Sequence, residues 1–154
     1  LDASLVLDAI RTRSFATLAT SSPEGWPHEA GVLYAASGEI LFVSTMRGSR
    51  KARNVNDNHK LAVTVPVRRS PVGPPSTIIF QSTARVLDLD DPGLQAAAAT
   101  GELKSVTSHG ELELPGGVFI EVALPRKVVT YGLGMSLLSL MRDPMHAAGV
   151  AHLG

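Results

Sequence analysis

The segment "STMRGSRKARN", residues 44–54, sets Arg47, Arg50, Lys51 and Arg53 among the hydroxyls of Ser44, Thr45 and Ser49, with no carboxylate between them. Guanidinium forks, an ammonium and hydroxyls this close together are donors for an anion, and a phosphate, with several oxygens, uses such a set well. The local order strengthens the point. "ILFVST" reads as a strand, a glycine-containing turn comes next, and a helix is expected from about Ser49 to Asn56, with Ala52 and Val55 on its buried side. First-turn amides of a helix lack internal partners and carry partial positive charge. Cations placed there are disfavoured by roughly a few tenths of a kcal/mol each unless an anion sits between. The competing reading is a solvated basic face, the ordinary meaning of a charge run.

The elements that must position this segment are mostly strands. Residues 3–12 place Leu5, Val6, Ala9 and Ile10 on one stripe at helical spacing. "SFATLAT" then suits a pleated surface, "SSPEG" supplies a turn, and "WPHEAGVLYAA" is a second strand with Pro27 near its start, where a missing amide does least damage. With "ILFVST" these make an antiparallel meander. After the basic helix come the strand "KLAVTV", the proline-rich loop "PVRRSPVGPPS", the long extended run "TIIFQSTARVLDL" and an alanine-rich helix in "DPGLQAAAATGELKSV". "SHGELELPGG" looks irregular. "VFIEVAL" and "KVVTYG", divided by Pro125, are the last strands, and the tail from Leu133 reads as a terminal helix. Six to seven short strands with peripheral helices predict a mainly β, antiparallel, closed or nearly closed barrel. A doubly wound parallel sheet is disfavoured, because the first three strands lack helical crossovers and no GxGxxG fingerprint occurs.

The totals bound the function classes. A chain of 154 residues predicts one domain over 1–154. Its 14 basic and 14 acidic side chains cancel, which argues against a nucleic-acid or acidic-membrane partner and makes any basic function local. With no cysteine, disulfides and thiol nucleophiles are excluded and a cytoplasmic setting is expected. No apolar run approaches the roughly 18 residues of a membrane span. The opening "LDASLVLDAI" lacks an initiator methionine and the layout of a signal peptide, so a few native residues are expected to precede it.

Taken together, "FATLAT", "GWPHEAGVLY", "ILFVSTMRGSRKARNVNDNHKLAVTV" and "VFIEVALPRKVVTYG" resemble the pyridoxamine 5'-phosphate oxidase-like split-barrel family over Phe15 to about Tyr131, most specifically in "ST…GSRKARN". The resemblance implies a homodimer holding FMN, or the deazaflavin coenzyme F-420, in a cleft between subunits. It makes Ser44, Thr45, Ser49, Arg50 and Lys51 the cradle of the cofactor phosphate. Gln81 would reach the flavin ring or its side chain, and Pro27 to Val32, including His28, would lie along the isoalloxazine edge. The implied activity is that of a flavin-dependent oxidoreductase acting on a small planar molecule, with a deazaflavin-dependent reductase, a non-catalytic flavin carrier or a haem-binding barrel as alternatives. Arg47, Arg53, Arg68 and Arg69 would help to hold the longer anionic tail of the deazaflavin, and the loop carrying Arg68 and Arg69 is a candidate lid. The tail offers Arg142, His146 and His152 in no pattern matching the family's substrate grip, so vitamin B6 synthesis is not implied.

Other residues have structural readings beside chemical ones. The five histidines are scattered, and only His146 and His152 come loosely near metal-ligand spacing. His28 is a candidate for hydrogen bonding or proton transfer. Tyr34 and Tyr131 could flank a ring but are read first as barrel filling, and Trp26 as a cover for the pocket or the dimer seam. No serine elbow supports covalent hydrolysis. Asp88, Asp90 and Asp91 look like a turn and a helix start.

Overall fold

The structure, a computed structural model, describes residues 1–68 and 70–154; Arg69, one of the two arginines of the candidate lid, lies outside them. The chain enters through helix α1 (Ala3–Thr12), whose first turn is capped by Asp2, its carboxylate accepting from Ser4 N at 2.9 Å. Val6, Ala9 and Ile10 are buried, while Leu5, expected on the same stripe, faces solvent.

Strands β1 (Phe15–Ser21), β2 (Pro27–Ser37) and β3 (Ile40–Met46) form the expected meander. Tyr34 is fully buried and its hydroxyl donates to Ile10 O at 2.6 Å, tying β2 to α1. Burial pushes the Tyr34 phenol above the ordinary tyrosine range. Helix α2 (Arg50–Asp57) comes next, then β4 (Lys60–Val67) and β5 (Ser76–Leu87), helices α3 (Pro92–Ala99) and α4 (Lys104–Thr107), and strands β6 (Gly117–Ala123) and β7 (Lys127–Tyr131). The chain ends in a short helix α5 (Leu137–Arg142) and strand β8 (Ala148–His152).

Pairing runs β1–β2–β3–β6–β5–β4 and returns to β1, closing an antiparallel six-stranded barrel. The long β5 serves two sheets: Ala84–Leu87 pairs with β6, while Thr77–Ile79 pairs with β7, which carries β8. Inside the barrel, Leu18, Val32, Val43, Val63, Val65 and Ile78 belong to the main core; α3 and α4 pack Leu94, Leu103 and Val106 against Phe42 and Phe119 in a second cluster.

The barrel is split beside α2. Tyr34–Ser37 of β2 pairs with Ile40–Val43 of β3, but beyond that the strands part. Ser44–Met46 continues along Gly117–Phe119 of β6, and Pro27–Leu33 pairs only with β1 among the described residues. One backbone edge of β2 is therefore open where β3 ends.

Three expectations need correction. The tail is not one terminal helix, because its last residues form β8 on β7, with Ala151 inward and Val150 outward; a strand of alanine and glycine takes its conformation from its partner rather than from propensity. The alanine-rich helix is two helices, broken near Gly101, which adopts φ +81°. The proline-rich loop is shorter than its composition suggests, since Pro66 pairs with Thr77 and Val67 with Ser76.

Candidate functional site

The basic segment sits where β3 runs out beside the split. Arg47 N donates to Gly116 O at 2.9 Å and Ser49 N to Met46 O at 3.0 Å, which fix the turn between β3 and α2. Ser49 is the N-cap: its Oγ accepts from Ala52 N at 3.3 Å and from Thr45 Oγ1 at 3.1 Å. Ala52, Asn54 and Val55 are buried beneath α2, with Asn54 donating to Thr20 Oγ1 at 3.0 Å, so the helix is anchored to the barrel wall and its start is held in place.

Two donors remain unused at that start. The amides of Arg50 and Lys51, the first two of the helix, have no acceptor among the described residues. Neither side chain, nor that of Arg53, forms an ion pair among the described residues. Arg50 and Arg53 are exposed and Lys51 is half-buried. Arg47 differs: it is paired with Asp88. That pairing with Asp88, made between exposed side chains, gives Asp88 a role beyond the turn. Asp91 keeps the helix-start role, accepting from Leu94 N at 3.0 Å at the head of α3.

Thr45, Ser49, Arg50 and Lys51 thus gather at the start of α2, with the open edge of β2 across the split, whereas Ser44, next to Thr45 on β3, has the opposite parity and shares the side of Phe42, away from Thr45. Pro27, His28 and Val32 lie on that strand: Pro27 is exposed, Val32 is buried and His28 is half-buried. His28 stands opposite Thr20 in register, and its buried Nδ1 has no hydrogen-bond partner among the described residues. No sequence signal marks such an orphan, since it depends on what neighbouring strands bring close.

Gln81 is not part of this convergence within one chain. It faces outward on β5, opposite Ala62, and three strand spacings, about 14 Å, separate β5 from β2 through β4 and β1. There it borders an open depression of about 500 Å³ with Pro27, Lys60 and Ala62. The depression lies by the C-terminal end of α2, about 12 Å along the helix from the cationic start. Arg68 is exposed just after β4. Tyr131, read as barrel filling, is instead exposed on the outer face, and Trp26 is 76 % exposed at the entrance to β2.

That outer face is apolar. Phe15 and Leu33 face each other across β1 and β2, 47 % and 58 % exposed, and Ile79, Val129 and Val150 form one register row across β5, β7 and β8. Gly31 matters here, because a Cβ on it would meet the Phe15 ring at 3.0 Å. No helix among the described residues is long and apolar enough to cross a membrane.

Comparison with known proteins matches residues 5–123 to the family model described as pyridoxamine 5'-phosphate oxidase. No curated protein sequence matches. Among solved structures, the haem storage protein HutZ of Vibrio cholerae is similar with TM-score 0.71 at 18% identity, covering 84% of this chain and 94% of that one. A FAD-binding protein of Mesorhizobium loti gives TM-score 0.63 at 19% identity, covering 80% and 88%. A protein named F420 reductase gives 0.53 at 19% identity, covering 75% and 90%. At these identities the structures share the fold alone.

Proposed function

Since the chain belongs to the pyridoxamine 5'-phosphate oxidase family, we propose that it is a flavin-binding oxidoreductase whose cofactor phosphate sits at the start of α2. One observation carries the reading: the amides of Arg50 and Lys51, without acceptors among the described residues, and their side chains, without ion pairs, stand at the helix start that the Thr45 and Ser49 hydroxyls cap, beside an open strand edge. Those groups fit a phosphate monoester, which accepts from the two amides and draws the cations into charge-assisted hydrogen bonds. FMN is the preferred cofactor. The deazaflavin coenzyme needs cations for its longer anionic tail, and Arg47, one of those available, is already held by Asp88. The protein named F420 reductase keeps the deazaflavin as the alternative.

When bound, the flavin supplies the redox chemistry. The protein's part is grip and placement. Ser49 holds the helix start, Arg50 and Lys51 neutralise the phosphate, and the unpaired edge of β2 from His28 to Val32 offers backbone donors and acceptors to a flat ring. Among the described residues, no side chain at the split is arranged as an obligatory acid or base.

A homodimer completes the site in this reading. The exposed row of Ile79, Val129 and Val150, with Phe15, Leu33 and Tyr131, is an apolar sheet face suited to a second copy, which would bring its own Gln81 towards the cleft. Sedimentation or light scattering tests this directly, and a monomer at micromolar concentration contradicts it.

Titration of the purified protein with FMN and with the deazaflavin, read by visible absorbance and by turnover with a nicotinamide reductant, tests the function. Tight FMN binding with turnover supports the enzyme, and binding without turnover marks a carrier. No flavin binding, with an intense Soret band on adding haemin, overturns the reading.

A further inference from the structure

Strand β8 ends the sheet on one side, and among the described residues β7 is the strand it pairs with. Two bonds at its ends show which backbone groups that pairing uses: Gly132 N donates to Ala147 O at 2.8 Å and Leu153 N to Arg126 O at 2.7 Å. Hydrogen-bonded and non-bonded pairs alternate along an antiparallel ladder, so Ala147, Gly149, Ala151 and Leu153 turn their amides and carbonyls to β7. Ala148, Val150 and His152 turn theirs the other way, to the free edge, where those groups have no partner among the described residues. All three residues are exposed. Open edges are commonly protected by a proline or a charge. The open edge of β2 has both, beginning with Pro27 and carrying Glu29. β8, with the sequence AGVAH, has neither a proline nor a permanent charge.

We infer that the β8 edge pairs with the β8 edge of a second copy of the chain, antiparallel, about a two-fold axis at Val150. The free groups are spaced symmetrically about that residue, so Val150 meets its own counterpart and Ala148 meets His152 of the second copy, each pair exchanging two hydrogen bonds. Every free donor and acceptor of the edge is then used, and no like charges stand opposite each other. The outer-face row of Ile79, Val129 and Val150 runs on into the same row of the copy, so side-chain contacts support the register that the backbone sets. A strand of another protein could take the same backbone bonds but need not continue that row. This edge contact is separate from the face contact proposed above, and it does not rest on the flavin reading.

Amide-resolved hydrogen exchange of the whole chain at about 10 μM and about 1 mM tests the pairing. The Ala148, Val150 and His152 amides should slow at least about tenfold at the higher concentration, and those of Gly149 and Ala151, already bonded to β7, should change less. Val150→Pro removes the central free donor without removing a β7 bond, so it should abolish the slowing at Ala148 and His152 while Gly149 and Ala151 stay protected. Val150→Thr, which keeps the amide, should retain the slowing, and so should Ile79→Lys, which alters the apolar face two strands from the edge. Edge amides that exchange alike at both concentrations overturn the proposal and leave the edge to a strand of another protein. Slowing that survives Val150→Pro overturns it as well. Slowing lost in Ile79→Lys also overturns it, and assigns the association to the apolar face, leaving the dimer of the functional reading intact.

Discussion

Replacing His28 by Phe should raise the stability of the flavin-free protein and lower its affinity for FMN. His28 Nδ1 is buried on β2 with no partner among the described residues, opposite a Thr20 whose hydroxyl already accepts from Asn54. A buried polar atom left without a hydrogen bond costs about 1–3 kcal/mol, and an apolar ring of similar shape escapes that cost. The histidine is only half-buried, so the lower end applies, about 1 kcal/mol, or about 2–4 °C in Tm for a domain of this size. If the bound ligand supplies the missing partner, the same substitution forfeits one hydrogen bond, about 0.5–1.5 kcal/mol, and weakens FMN about 2-fold to 10-fold. Calorimetric melting of the flavin-free protein and fluorescence titration with FMN read the two quantities on one preparation. A purely structural histidine would move the melting point and leave the affinity alone, so unchanged FMN affinity in His28→Phe would mean that the ligand makes no bond to Nδ1.

Three further outcomes are expected. Arg47→Ala should leave FMN affinity within about twofold, because Asp88 already compensates that charge; a loss as large as that of an Arg50 variant in the same titration would return Arg47 to the cradle. Ser49→Ala should cost about 1 kcal/mol of stability, since the cap on Ala52 N is lost, and should weaken FMN as well, both measured by melting with and without cofactor. Tyr34 has a folded-state phenol held above its ordinary value, so its contribution is fully present below about pH 10 and is lost as pH rises beyond it. Tyr34→Phe should lower neutral-pH stability by about 1 kcal/mol, by leaving Ile10 O unpaired, and flatten the alkaline decline in urea melts.

The meander, the capped helix and the barrel are legible in the sequence because their signals are local. Strands β1 to β3 are made of residues that suit a pleated surface and are divided by short turns, and Ser49 stands directly before a helix whose Ala52 and Val55 are buried as their spacing predicts. What escapes the sequence depends on distant partners. β8 is a strand because β7 offers it a ladder, and nothing in "AGVAH" insists on that. Arg47 lies 41 residues from the Asp88 that holds it, a pairing set by where β3 and β5 end. The resemblance implies that Gln81 reaches the flavin, and its place on β5, three strands from β2 along the sheet, follows from the strand order, which no local pattern encodes. Likewise, Tyr34 and Tyr131 belong to the same residue type, but opposite parity in their strands buries one and exposes the other.

The claim beneath all of this is that an anion belongs at the start of α2. Isothermal titration of the wild-type chain and of an Arg50→Ala, Lys51→Ala double variant with FMN and with riboflavin, which lacks the phosphate, measures it. The wild-type chain should prefer FMN by at least about 100-fold, and the double variant should lose most of that preference while binding riboflavin as before. Equal affinity for the two flavins in the wild-type chain, or an FMN preference untouched in the double variant, would contradict it.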